Sequence, residues 1–269
     1  MPTEKQKKLS REQRMARLRR KLADMLARDG HLRQAIHQYE LAAAFEEDDP
    51  DFNVCLGDAY SAEDLPQQAY ERYVKALRLN PRHADTHFSM AQLFLSLGKV
   101  RAAIKALQRA VENAPDRDYY IYRLGALYFA AGDLTLAEVN FRRALELKPN
   151  DAFYRYKLGE AFFAQKLWDK AVSQYEKAIE LAPLDDFYHV RLAAAYVRLG
   201  RYADALAAFE RACELDRTNA AYPWIAGYLL MRLGREKEAR ERMKLAGDLG
   251  EYELDYVRRW QVRCGAETV

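Results

Sequence analysis

Cysteine is scarce in this 269-residue chain: Cys55, Cys213 and Cys264 lie far apart and show no Cys-x-x-Cys or Cys/His spacing. That spacing argues against a disulfide framework and a zinc site, and leaves three free thiols. Long apolar runs are also missing. Stretches such as "ALYFAAG" and "RLAAAYV" are far short of the roughly 20 residues that cross a bilayer. The N-terminus is charged from residue 4 without an apolar segment of the signal-peptide kind, so the expected location is cytoplasmic. There is no Ser/His/Asp set, Gly-rich phosphate loop or HExxH, and the expectation is therefore a non-enzyme with no catalytic residue, metal or cofactor.

Charge is nearly balanced over the chain at +3, but residues 1 to 21 hold nine Lys or Arg against two Glu, a local +7 that leaves −4 for the rest. Only this arm is basic, and two readings stand beside each other. One is electrostatic attachment to nucleic acid or an anionic membrane surface. The other is a charged leader that solubilises the N-terminal end, with Met15, Leu18 and Leu22 on the packed side. The leader is preferred, because no aromatic residue that could stack on a base precedes Tyr39.

What the chain has in quantity is helix-forming and aromatic residues at a fixed interval. "DYYIYRLGALYFAAG" at 118 to 132 is followed 34 residues later by "AFYRYKLGEAFFAQK" and 34 later again by "DFYHVRLAAAYVRLG". A fixed period decides architecture before any single helix is considered. Seven repeats fit without a gap, at 16–49, 50–83, 84–117, 118–151, 152–185, 186–219 and 220–253. Position 8 is always small (Ala23, Gly57, Ala91, Gly125, Gly159, Ala193, Gly227), which lets a second helix approach closely, and positions 20 and 27 are Ala in all seven. Gly30, Gly98, Gly132, Gly200 and Gly234 fall where the chain reverses. Pro81, Pro115, Pro149 and Pro183 follow the second helical half, whose continuation they stop. Asp151 and Asp185 are placed as N-caps. Each repeat is thus predicted to be a helical hairpin.

The segment "YRLGALYFAAGDLTLAEVNFRRALELKP" resembles the tetratricopeptide repeat family, with its Leu-Gly-x-x-Tyr first helix and Ala-x-x-x-Phe-x-x-Ala second helix. The resemblance implies an all-α, right-handed superhelical solenoid of seven helix-turn-helix repeats. It also implies a protein-protein interaction scaffold or adaptor that binds in the concave groove of the first helices. After 253 the frame places Tyr256 and Trp260 at positions 3 and 7 of a further first helix, read as a cap on the end of the stack, with 254–269 as capping helix and tail and 1–15 as the basic arm. Some family members clamp carboxylate tails with a Lys, Asn and Arg set; position 9 is never Asn here, which disfavours that adaptor role.

On a helical wheel, positions 4, 7, 8 and 11 share the packing face, and 2, 5, 6, 9 and 13 lie opposite it. The series Tyr120, Tyr154, Tyr188, Tyr222 and Tyr256 at position 3 is on the boundary and is read as packing between repeats. His87 and His189, both at position 4, are read as structural. On the opposite face lie Tyr119, Phe153 and Phe187 at position 2, then Tyr122, Tyr156 and Trp224 at position 5, with Tyr228 at position 9. Cations interleave them: Arg123, Lys157 and Arg191 at position 6, and Arg198 and Arg232 at position 13. These twelve form the expected peptide-binding groove. Repeats two and three instead carry Asp51, Asp58 and Asp85 there, which would orient a ligand. First helices about 10 Å apart and an extended chain advancing about 3.3 Å per residue match one acidic or carbonyl-rich group about every third residue. The expected partner is a protein or peptide of acidic character. The alternative is a self-assembling or regulatory subunit of a larger complex that uses its ends or convex face.

Overall fold

The computed structural model describes residues 11–46, 48–247 and 250–265, and among them it contains helices and turns without a strand. Residues 1–10 of the basic arm and the tail 266–269 lie outside the described residues. The fold is all-α. The helices are α1 (Arg11–Arg28), α2 (Leu32–Glu46), α3 (Pro50–Ala62), α4 (Pro66–Leu79), α5 (Ala84–Ser96), α6 (Val100–Asn113) and α7 (Asp118–Ala130). They continue with α8 (Leu134–Leu147), α9 (Ala152–Ala164), α10 (Trp168–Leu181), α11 (Asp186–Arg198), α12 (Tyr202–Leu215), α13 (Ala221–Arg232), α14 (Glu236–Ala246) and α15 (Glu251–Cys264). The chain forms two compact units, residues 1–124 and 125–269, whose boundary falls within α7.

In each unit, consecutive odd and even helices pair as hairpins, and each hairpin packs its second helix on the first helix of the next: α1 with α2, α2 with α3, and so on through the first unit, and α9 with α10, α10 with α11, through the second. Position 8 shows why it is small. A Cβ on Gly57 would lie 2.5 Å from the Tyr73 ring and one on Gly159 would lie 2.6 Å from Tyr175; the missing methyl group is what lets position 24 close on the first helix. The invariant alanines Ala35, Ala69, Ala103, Ala137, Ala171, Ala205 and Ala239 are all fully buried. Position 15, which ends the first helix, is left-handed throughout: Gly30, Gly98, Gly132, Gly200 and Gly234 have φ between +69° and +85°, and the two non-glycine occupants, Asp64 and Lys166, have φ of 58° and 62°.

Asp151 and Asp185 cap α9 and α11, accepting from the Tyr154 and Phe187 amides at 2.9 and 3.1 Å. The position-3 tyrosines are packed between repeats: Tyr120, Tyr154, Tyr188 and Tyr222 are all buried. Two of their hydroxyls donate to a carboxylate at the start of the preceding first helix, Tyr120 to Asp85 and Tyr222 to Asp186. The position-4 histidines each meet the carbonyl of the proline six residues before, His87 with Pro81 and His189 with Pro183.

The N-terminal helix departs from expectation. Met15, Leu18, Leu22 and Met25 are 47, 59, 45 and 60% exposed, while Ala16 and Ala23 are buried. In an interior repeat position 7 packs on the hairpin before it. For α1 the described residues supply no such hairpin, so its alanine face meets α2 and its larger apolar side chains remain outside.

Candidate functional site

In the first unit, Tyr119 at the start of α7 is 46% exposed and lies beside Phe88 of α5, with ring centroids 5.6 Å apart. Tyr122, one turn on, is half-buried, and its ring is 6.2 Å from Tyr119. The Arg123 guanidinium donates to the Tyr119 hydroxyl at 2.9 Å and lies 5.8 Å from the Phe88 ring. It meets no carboxylate among the described residues. The result is a cation laid over rings, with its charge not neutralised.

The second unit repeats this chemistry in a more closed form. Phe153 and Phe187 are 41 and 42% exposed, but Tyr156, expected on the open face, is 8% exposed. It lies among Phe153, Tyr175, Phe187 and Tyr188, with centroids 5.1 to 6.3 Å away. Adjacent hairpins bring position 2 of one repeat over position 5 of the previous one, so the rings cover each other. The Lys157 ammonium sits 5.0 Å from both the Phe153 and Tyr156 rings. No carboxylate among the described residues pairs with it. Burial, and then the charge of Arg191, push its pKa down.

Arg191 is not available in the same way. Its Nε donates to Glu160 Oε1 at 3.0 Å, and its terminal nitrogen pairs with the other carboxylate oxygen. Glu160 is a buried node: it also takes the Tyr175 hydroxyl and, at 2.6 Å, the terminal nitrogen of Arg263 from α15. Burial, and then the nearby Arg263 charge, oppose the charge of Arg191 and pull its pKa down to about 9. The sequence reading missed Glu160, although a signal for it was present. Where position 24 is Tyr, position 9 is acidic and accepts its hydroxyl: Tyr39 to Asp24 at 2.6 Å, Tyr73 to Asp58 at 2.7 Å, and Tyr175 to Glu160. A buried phenol needs an acceptor.

The remaining expected residues gather under α15. This helix does not extend the series of hairpins as a cap would; it lies across the first helices α11 and α13. Gly247 ends α14 at φ 64° and ψ −154°, a conformation open to glycine, so the second helix of this repeat is 11 residues long instead of the 14 of α12. From there α15 sets Trp260 against Phe209 and Tyr228, 5.5 and 6.2 Å between centroids, both near perpendicular. Arg263 lies 4.2 Å from the Phe163 ring. Trp224 stacks on Tyr228 with an interplanar angle of 5°. Arg198 covers Trp168 at 4.9 Å, and Gly265, at the end of α15, sits against its guanidinium. Arg232 lies over Tyr202 and donates to its hydroxyl at 2.9 Å. Of the twelve expected residues, then, Tyr119, Tyr122, Arg123, Phe153, Lys157 and Phe187 present open surface, Tyr156 is sealed, and Arg191 is held by Glu160; Arg198 and Tyr228 meet α15, Trp224 stacks on Tyr228, and Arg232 is bonded to Tyr202.

The acidic residues of repeats two and three also have protein partners. Asp58 takes Tyr73, and burial pushes its carboxyl up. The Asp51, His83 and Asp85 ligand atoms lie within 4.8 Å of one another, the one grouping among the described residues that could face a cation. His83 is already held by Asp51 at 3.0 Å and Thr86 at 2.7 Å, and Asp85 by Tyr120. The three cysteines are free, and burial pushes their thiols up to about 11 for Cys55 and Cys213 and about 12 for Cys264, which leaves them poor nucleophiles. No helix of the described residues is long and apolar enough to cross a membrane.

Helical hairpins closed by a small residue at position 8, a left-handed turn at position 15 and alanine at 20 and 27 define a repeat protein that displays side chains along its first helices. The chain belongs to the tetratricopeptide repeat family: family models described as tetratricopeptide repeat match residues 60–126, 119–184 and 187–219. Among solved structures it resembles the C-terminal part of a TPR repeat-containing protein from Cytophaga hutchinsonii at 18% identity, with a TM-score of 0.72 over 87% of this chain and 98% of that one. A tetratricopeptide repeat protein from Parabacteroides merdae matches at 18% identity and TM-score 0.62, over 92% and 99%. YrrB, described as a TPR protein with an unusual peptide-binding site, matches at 18% identity and TM-score 0.59, over 74% and 97%. These likenesses bear on the fold. No curated protein matches the chain.

Proposed function

We propose that this protein is an interaction scaffold that holds a partner protein or peptide on its first helices, through one ring-and-cation patch in each unit. The observation that carries the reading is the combination of exposed rings with an unneutralised cation: Tyr119 with Arg123, and Phe153 with Lys157, where the exposed Phe187 lies against the Tyr156 ring that Lys157 also covers. A partner carboxylate or carbonyl that reached Lys157 would pair a partly desolvated charge, and the rings would supply apolar area around it. The partner is therefore an acidic segment with apolar residues beside the charge. Tetratricopeptide repeat folds typically serve as binding scaffolds, which supports this reading.

The test is an array of acidic peptides titrated against the full chain and against Arg123→Glu with Lys157→Glu. The reading expects at least about a tenfold loss, some 1.4 kcal/mol, on the peptides that bind; unchanged affinities would remove both patches from consideration. A second reading, self-association through the N-terminal end, is favoured by one observation, the exposed Met15, Leu18, Leu22 and Met25 of α1. A second copy burying that stripe would appear in sedimentation as a dimer.

A further inference from the structure

We propose that α15 is a detachable occupant of the second unit's binding face, and that the partner this part of the face fits is a helix carrying an aromatic side chain followed three residues on by an arginine. This deepens the protein-binding reading and rests on it. Trp260 and Arg263 are one turn apart on α15, so both point to the same side, and the surface beneath answers both. Phe209 and Tyr228 meet the indole edge-on, while Glu160 and the Phe163 ring meet the guanidinium from two directions. The pair is read by residues of four different helices, α9, α10, α12 and α13, counting the Tyr175 hydroxyl 3.5 Å from Arg263. A surface of that kind recognises a side-chain pattern on a helix, whichever chain supplies it.

The attachment is also incompletely satisfied. Gln261 is 1% exposed, yet neither its amide nitrogen nor its oxygen has a hydrogen-bond partner among the described residues, and the same holds for Trp260 Nε1 and Arg263 Nε. Groups like these are normally paired when buried, so three neighbouring residues of α15 each gain hydration when the helix leaves. Its outer side is not covered: Val262 is 67% exposed. Gly247 and Gly250 stand on either side of the segment that joins α14 to α15, and Gly247 already holds a conformation open to glycine. A partner helix with the same aromatic and arginine pair would compete for Glu160, Phe163, Phe209 and Tyr228.

The probe is a labelled synthetic peptide of residues 251–265, added to the full chain and to the full-length Trp260→Ser, Arg263→Glu variant, whose own α15 can no longer hold the face. The expected result is binding to the variant at least tenfold tighter than to the unaltered chain. A peptide carrying the same two substitutions should not bind, and Glu160→Gln in the variant should weaken binding tenfold. Equal binding to both chains, or to neither, overturns the proposal. Should the variant fail to fold by circular dichroism, hydrogen exchange of the unaltered chain decides: α15 amides exchanging well ahead of those of α11 and α13 support detachment, and exchange at the same rate refutes it. The acidic-peptide titration involves Arg123 and Lys157 and none of these residues, so either result can fail alone.

Discussion

At the scale of single residues, the repeat frame separates side chains that hold hairpins together from those left to a ligand. Positions 8, 20 and 27 are readable from the sequence, because a small residue recurring every 34 places has few explanations other than close helix approach. The pairing of an acid at position 9 with Tyr at position 24 is equally local, and Asp24 with Tyr39, Asp58 with Tyr73 and Glu160 with Tyr175 all show it. What no local pattern could show is that Glu160 also holds Arg263, 103 residues away, and so that Arg191 is engaged rather than open. His189 makes a residue-scale prediction. Burial lowers its pKa below the ordinary 6.5, so the unfolded chain binds a proton first as pH falls. Its contribution to stability is full above about pH 6.5 and is lost below it. Urea unfolding at pH 8 and pH 5 should show a smaller loss of stability for His189→Gln than for the unaltered chain, and an equal loss would contradict this.

At the scale of helices and turns, fourteen helices in hairpin order follow from the period, and the turn glycines mark where first helices end. The reason is conformational: position 15 has φ of 58° or more in all seven turns, whether or not glycine supplies it. Lys166, at φ 62°, bears a steric cost of roughly 1–2 kcal/mol that glycine avoids, less the entropy glycine loses on folding. Lys166→Gly should therefore raise the unfolding free energy by about 0.5–1 kcal/mol, measured by denaturant titration; a decrease would show the turn is held by the Lys side chain. The placement of α15 was not legible. Its periodicity shows which side is apolar, and a cap and a folded-back helix need the same apolar side. The difference is made at Gly247, where α14 stops at Ala246.

At the scale of the whole molecule, a hairpin within each unit packs on the next one in the series, so the terminal helix of such a series presents a face that interior helices bury. The basic end was expected to place Met15, Leu18 and Leu22 on the packed side; the burial of Ala16 and Ala23 instead turns these side chains outward. Leu18→Glu with Leu22→Glu should then leave stability within about 0.5 kcal/mol, as surface changes do, whereas burial of both would cost several kcal/mol. The same variant in sedimentation checks the self-association reading, which expects a dimer to dissociate.

The claim at the centre of this account is that the exposed rings beside Lys157 touch another protein. The most direct measurement is photo-crosslinking in living cells, with a benzophenone amino acid placed at Phe153 or Phe187 and, as control, at the exposed Leu79 of α4. A discrete protein adduct is expected from 153 and 187, absent from 79 and lost with Lys157→Glu. Adducts of the same pattern from all three positions, indifferent to Lys157, would contradict it.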